Sequence, residues 1–100
     1  MKAALLLAAA LAAAPLAALA QDSPAARSLA ATCASCHGTD GRSVTNEVVG
    51  LAGLPKEHIV TQMKAFRDGS RPASVMHQIA KGYSDQQIEL MADYFSRRPK

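Results

Sequence analysis

Cys33-Ala34-Ser35-Cys36-His37 is the stretch on which this chain turns. Two thiols three positions apart, with an imidazole directly after, is the spacing for covalent attachment of a c-type haem. If the segment closes one helical turn, residues three and four apart share a face. Cys33 and Cys36 can then each form a thioether to one haem vinyl group, and His37 can place a ring nitrogen over the iron. An imidazole suits that proximal position. Competing uses of the same residues are poorer. A zinc site needs four ligands, and the chain has no second Cys pair to add to His37, His58 and His77. A redox CxxC would follow a strand in a βαβ unit, and no strand pattern precedes it. A Cys33–Cys36 disulfide would close too small a loop to gain much entropy.

The segment before the motif reads as a leader. Lys2 supplies a positive start, Ala3 to Leu19 is almost wholly Ala and Leu, and Ala18-Leu19-Ala20 fits an A-x-A cleavage site. Residues 1–20 are therefore expected to be a cleaved signal peptide, with residues 21–100 forming a single domain. Pro15 and the weak hydrophobicity of Ala argue against a retained anchor, since a spanning helix needs ~20 strongly apolar residues.

Without the leader, 31 of 80 residues are hydrophobic and 10 basic residues stand against 8 acidic ones. The small positive balance has no basic stripe interleaved with aromatics, so nucleic acid is not an expected partner. Four aromatics in 80 residues make a thin core. A flat, covalently held apolar cofactor would fill it, and the haem-free chain is expected to be largely unfolded.

Asp22 or Ser23 can cap a first helix opened by Pro24 and continued by Ala25 to Ala34, with Leu29 on the side of Cys33. Gly38 and Gly41 break it. Residues 42–53 lack a period and read as an irregular loop, in which a carbonyl can accept the second N–H of His37. Pro55 to Asp68 reads as a helix with an Ile59, Met63, Phe66 stripe, ended by Gly69. Val75 to Lys81 supports one or two helical turns before Gly82. Ser84-Asp85-Gln86-Gln87 is a capping box, and Ile88, Met91, Ala92 and Phe95 then trace a buried face that Tyr94 extends.

The sixth iron position is open to Met63, Met76, Met91, His58 and His77. Met63 and Met91 lie on helical stripes and read as core. Met76 follows a Pro-containing loop at a distance from His37 that lets it reach the opposite face, and Met/His ligation is common for such haems. Met76 is the expected ligand, with the adjacent His77 as the alternative; His58 reads as a surface or propionate-bonding residue.

These segments resemble the class I c-type cytochromes. The resemblance runs through Leu29, Cys33-Ala34-Ser35-Cys36-His37-Gly38-Thr39-Asp40-Gly41, Leu51 to Pro55, Phe66 to Arg71, Met76, and Ser84-Asp85 through Tyr94-Phe95. Residues 76–85 are most similar to cytochrome subunits of flavocytochrome c sulfide dehydrogenases, and nearly as similar to single domains of two-haem cytochromes. The resemblance implies an all-α cytochrome c fold, about three core helices around one covalent haem c. It also implies export, because c-type haem is attached outside the cytoplasm, and so a periplasmic protein. In that family a proline two residues before the position of Leu51 offers its carbonyl to the ligating His; here Val49 stands there. Relatives often carry Tyr where this chain has His58.

No Ser/His/Asp set, paired-carboxylate motif or phosphate-cradling Gly loop is present. The expected function is electron transfer rather than catalysis, with cofactor-binding residues Cys33, Cys36, His37 and Met76 and metal ligands His37 and Met76. The expected partners are redox proteins, a flavoprotein dehydrogenase or a terminal oxidase, with no stable membrane insertion after cleavage. A free carrier is the first reading, an electron-accepting subunit of a flavocytochrome c sulfide dehydrogenase the second, and a haem enzyme or gas sensor with an open distal site the third.

Overall fold

A computed structural model describes residues 22–100, all of it helix, turn and loop. The expected leader lies outside the described residues. Ser23 caps α1 (Pro24–Ala31), its hydroxyl accepting from the Ala26 N–H at 3.0 Å. The cap is Ser23 rather than Asp22. The helix pauses at Thr32 and Cys33 and resumes as one turn, α2 (Ala34–His37). A 3₁₀ turn over Thr39–Gly41 follows. The loop to residue 54 holds no strand.

The second long helix, α3 (Lys56–Asp68), starts one residue later than the pattern suggests. Pro55 sits outside it at ψ 138, and its carbonyl accepts from His58 and Ile59. Proline's fixed φ suits either site, so sequence does not separate them. Gly69, at φ +85, ends the helix in the left-handed conformation. The short α4 (Met76–Ala80) is closed by Gly82 N–H to the Ile79 carbonyl. The last helix, α5 (Asp85–Ser96), opens on the full capping box, Ser84 Oγ accepting from Gln87 N–H at 3.1 Å and Gln87 Oε1 from Ser84 N–H at 2.9 Å.

Three helices make the core. Ala26 and Ala30 give α1 a small-residue face that lets α5 approach closely, and Ile88, Met91, Ala92, Tyr94 and Phe95 answer it from α5. Ile59 brings in α3. Among the described residues Ile88 is the one large side chain that is wholly enclosed. Leu29, Cys33, Leu51, Leu54, Val60, Met63 and Tyr83 lie half-buried against this cluster. Apolar material thus gathers from α1, Cys33, the 51–54 loop, α3, Tyr83 and α5.

Candidate haem site

The attachment turn is held by its own backbone. Cys36 and His37 N–H both reach the Cys33 carbonyl, at 3.4 and 2.9 Å, and Gly38 N–H reaches that of Ala34 at 2.9 Å. One turn of helix therefore presents both thiols. Each is free; Cys33 is half-buried and Cys36 exposed. Burial pushes the Cys33 thiol up from its ordinary value, more than the Thr32 hydroxyl draws it down. The turn then reverses at Gly38 (φ +87), where any Cβ would collide with the Arg42 carbonyl.

His37 is oriented from outside its own helix. Its Nδ1 lies 2.7 Å from the Val49 carbonyl oxygen. A carbonyl only accepts, so Nδ1 carries the proton and Nε2 keeps its lone pair for a metal. Such a bond fixes the ring plane and raises ligand basicity. The acceptor stands at the position where the resemblance implies a proline. Valine serves because the main-chain oxygen, not the side chain, does the work; Val49 itself is 62% exposed.

That loop is anchored in turn. The Gly41 carbonyl accepts from Leu51 and Ala52 N–H at 2.8 and 3.1 Å, and Gly53 N–H donates to the Phe95 carbonyl at 2.9 Å. Gly41 is buried at φ +78, and a Cβ there would stand 2.8 Å from the Phe95 ring. Two features of this neighbourhood escaped the sequence reading. Tyr94 Oη donates to Asp40 Oδ1 at 2.6 Å, which with burial pushes the Tyr94 phenol up. Thr32 and Tyr83 pair hydroxyl to hydroxyl at 2.8 Å, joining the residue before Cys33 to the segment between α4 and α5. Neither pairing, 54 and 51 residues apart, leaves a local pattern.

Met76 opens α4, half-buried, and that helix is begun by Gln78 and Ile79 N–H on the Val75 carbonyl. His77 Nδ1 is enclosed and has no hydrogen-bond partner among the described residues. Buried polar atoms seldom stay unpaired, so this nitrogen has a place for one further polar partner. His58 is exposed, and Met63 and Met91 pack in or against the core. Two free thiols on one turn, an imidazole with its tautomer fixed, a thioether on a separate segment and an orphaned nitrogen beside it fit a covalent haem. Among the described residues no cluster of three or more His, Cys, Asp or Glu offers an alternative metal site.

A family model for cytochrome c matches residues 23–97. The chain is 42% identical over 72 residues to the cytochrome subunit of sulfide dehydrogenase of Chlorobaculum tepidum, covering 72% of this chain and 64% of that protein. It is 36% identical over 78 residues to cytochrome c-554(548) of Halomonas halodenitrificans, covering 75% of this chain and 94% of that protein. It is 39% identical over 71 residues to a thiosulfate dehydrogenase electron acceptor of Thiomonas intermedia, covering 68% of this chain and 32% of that protein. The chain thus spans about two thirds, nearly all and about one third of these relatives. An all-helical fold, a Cys-x-x-Cys-His turn with its histidine pinned, and a family match over three quarters of the chain agree: the protein belongs to the cytochrome c family, electron-transfer proteins built around haem c.

Proposed function

We propose that this protein is a small periplasmic electron carrier holding one haem through thioethers from Cys33 and Cys36, with His37 and Met76 as axial ligands. The observation that carries the reading is the 2.7 Å bond from His37 Nδ1 to the Val49 carbonyl, which occupies Nδ1 and leaves Nε2 as the nitrogen available to ligate. When bound, the haem supplies a one-electron Fe(III)/Fe(II) couple. The protein's part is to hold the ligands still in both charge states. Val49 fixes the His37 ring, the Val75 carbonyl starts the turn that carries Met76, and α3 packs against that turn. A thioether ligand raises the potential relative to a second histidine. Among the described residues no helix is long and apolar enough to cross a membrane. Periplasmic placement rests on the leader and on the chemistry of haem attachment.

A free carrier and a fixed subunit need different surfaces. Val75 and Ile79, 54% and 38% exposed, stand one turn apart beside Met76. Two such side chains suit a brief encounter; a permanent interface buries about 800 Å² on each partner. This favours the carrier. The second reading, an electron-accepting subunit of a flavoprotein sulfide dehydrogenase, is supported by the name of the Chlorobaculum relative. Purification of the exported protein from its host decides between them: a carrier runs alone, and a subunit runs with a flavin-containing chain. Met76→Ala tests the ligand set. It should abolish the Met-to-ferric-iron charge-transfer band and admit carbon monoxide to the ferrous protein; a surviving band would reassign the ligand to Met63 or Met91, and a parent protein without the band would point to His77.

A further inference from the structure

Asp40 is the one non-glycine residue at positive φ among the described residues, at φ +55 and ψ +25, three positions after His37. A left-handed conformation is unfavourable for a residue with a Cβ, so something outside the turn holds it. Its carboxylate accepts the 2.6 Å bond from Tyr94 Oη. Tyr94 is itself immobilised. Its ring is 6% exposed, stands edge-on to Phe95 at 5.4 Å, and is covered by the Arg98 guanidinium at 4.3 Å. The neighbouring residue of α5, Phe95, takes Gly53 N–H on its carbonyl. The last turn of α5 therefore grips two loop segments, Gly38–Gly41 and Leu51–Gly53, which also bond to each other through the Gly41 carbonyl. His37 lies just before the first segment and Val49 just before the second. The His37–Val49 bond is spanned by two arms with a common anchor.

We propose that the Tyr94–Asp40 hydrogen bond is a latch that positions His37: it holds the His37 Nδ1–Val49 contact short, and through that contact sets the reduction potential of the haem. Asp40 and Tyr94 are positioning residues, since neither reaches the ligand itself. A strong bond from Nδ1–H makes the imidazole a better donor and favours the ferric state. Slackening the latch lengthens the bond and favours the ferrous state. The inference rests on His37 being the iron ligand.

The test uses the holoprotein. Tyr94→Phe keeps the ring and removes the hydroxyl. It should raise the reduced-to-oxidised ratio at fixed electrode potential about threefold, or about 30 mV at 59 mV per tenfold for one electron. The His37 Nδ1–H, followed by NMR of the ferric protein, should exchange at least about tenfold faster, as expected for a hydrogen bond that opens more often. Asp40→Gly removes the same bond while suiting the positive φ, so it stands in if Tyr94→Phe folds poorly. The double variant should go no further than Tyr94→Phe in exchange rate, because one interaction is being removed twice. Asp40→Asn keeps an accepting oxygen and loses the charge; it should leave exchange near the parent rate. Ser84→Ala uncaps the far end of α5 without touching Asp40, Tyr94 or the groups packed on them, and should lower the melting temperature and leave potential and exchange unchanged. The proposal is overturned if Tyr94→Phe and Asp40→Gly lower the melting temperature but keep the parent exchange rate and potential. It is equally overturned if Ser84→Ala moves the potential as far as Tyr94→Phe. Absence of a hyperfine-shifted His37 Nδ1–H in the parent would instead defeat the ligand assignment on which the latch depends.

Discussion

Asp22→Asn should cost about 2 kcal/mol of stability, although Asp22 stands at the edge of the described chain and touches no part of the haem site. Its carboxylate, 10% exposed, bonds Arg97 at 2.6 Å through one oxygen and Arg98 through the other. This closes a contact between residues 75 and 76 positions apart and ties the start of α1 to the end of α5. A hydrogen bond to a charged group is worth about 1.5–3 kcal/mol net when buried, and an exposed ion pair about 0–1. The two arginine side chains are 37% and 25% exposed, so each bond falls between, near about 1 kcal/mol. Neither arginine is stranded by the change. Arg97 keeps Asp93 at 2.7 Å, and Arg98 keeps the Tyr94 carbonyl at 3.2 Å and the Tyr94 ring. The loss is therefore limited to the two bonds. For a domain of this size about 1 kcal/mol moves the melting temperature by about 4–8 °C, so the variant should melt about 8–16 °C lower. Thermal unfolding of the ferric protein at neutral pH measures it. Raising salt from 0.1 to 1 M should shrink the difference only in part, because Asp22 is largely enclosed. A shift under about 2 °C would mean that the chain ends are not clamped here.

Further outcomes follow from the same contacts. Ser84→Ala removes the cap of α5 and should destabilise by about 1 kcal/mol, read as a fall of about 4–8 °C in melting temperature with an unchanged spectrum. The Arg67 guanidinium, 2.5 Å from Asp85, holds that carboxyl below its ordinary value. A depressed carboxylate adds stability that is complete above its unfolded value of about 3.9 and is lost as pH falls through the folded one. Asp85→Asn should thus flatten the acid limb of the denaturation profile below about pH 4. Tyr94 has the opposite sign. Its raised phenol adds stability that is complete below about pH 10 and is lost as pH climbs through the folded value, so Tyr94→Phe should be less stable at neutrality but flatter above about pH 10. Removing the haem, with Cys33→Ala and Cys36→Ala in place, should leave no cooperative thermal transition, since the core among the described residues holds one wholly enclosed large side chain.

Local chemistry made much of this molecule legible in sequence. The α5 helix announces itself through Ser84 and Gln87, and its buried face through Ile88, Met91, Ala92 and Phe95. The attachment turn is written in five residues. The carbonyl partner of His37 was readable only by resemblance, because every residue supplies a carbonyl and its direction depends on the fold. The long-range ties were not readable. Arg97 and Arg98 look like cations suited to a helix C-terminus, yet both bond Asp22. Asp40 looks like a loop residue, yet its carboxylate meets Tyr94. The alternation between Pro55 as cap and as first helical residue also stayed hidden, since proline's φ serves both.

The central claim is that Cys33 and Cys36 hold a porphyrin covalently. Mass spectrometry of the protein purified from its host, taken after acid denaturation and solvent extraction of loose haem, decides it. The expected result is a polypeptide heavier by one haem, with the added mass confined to the fragment containing residues 33–37. A chain of unmodified mass, with the pigment left in the solvent, would contradict it.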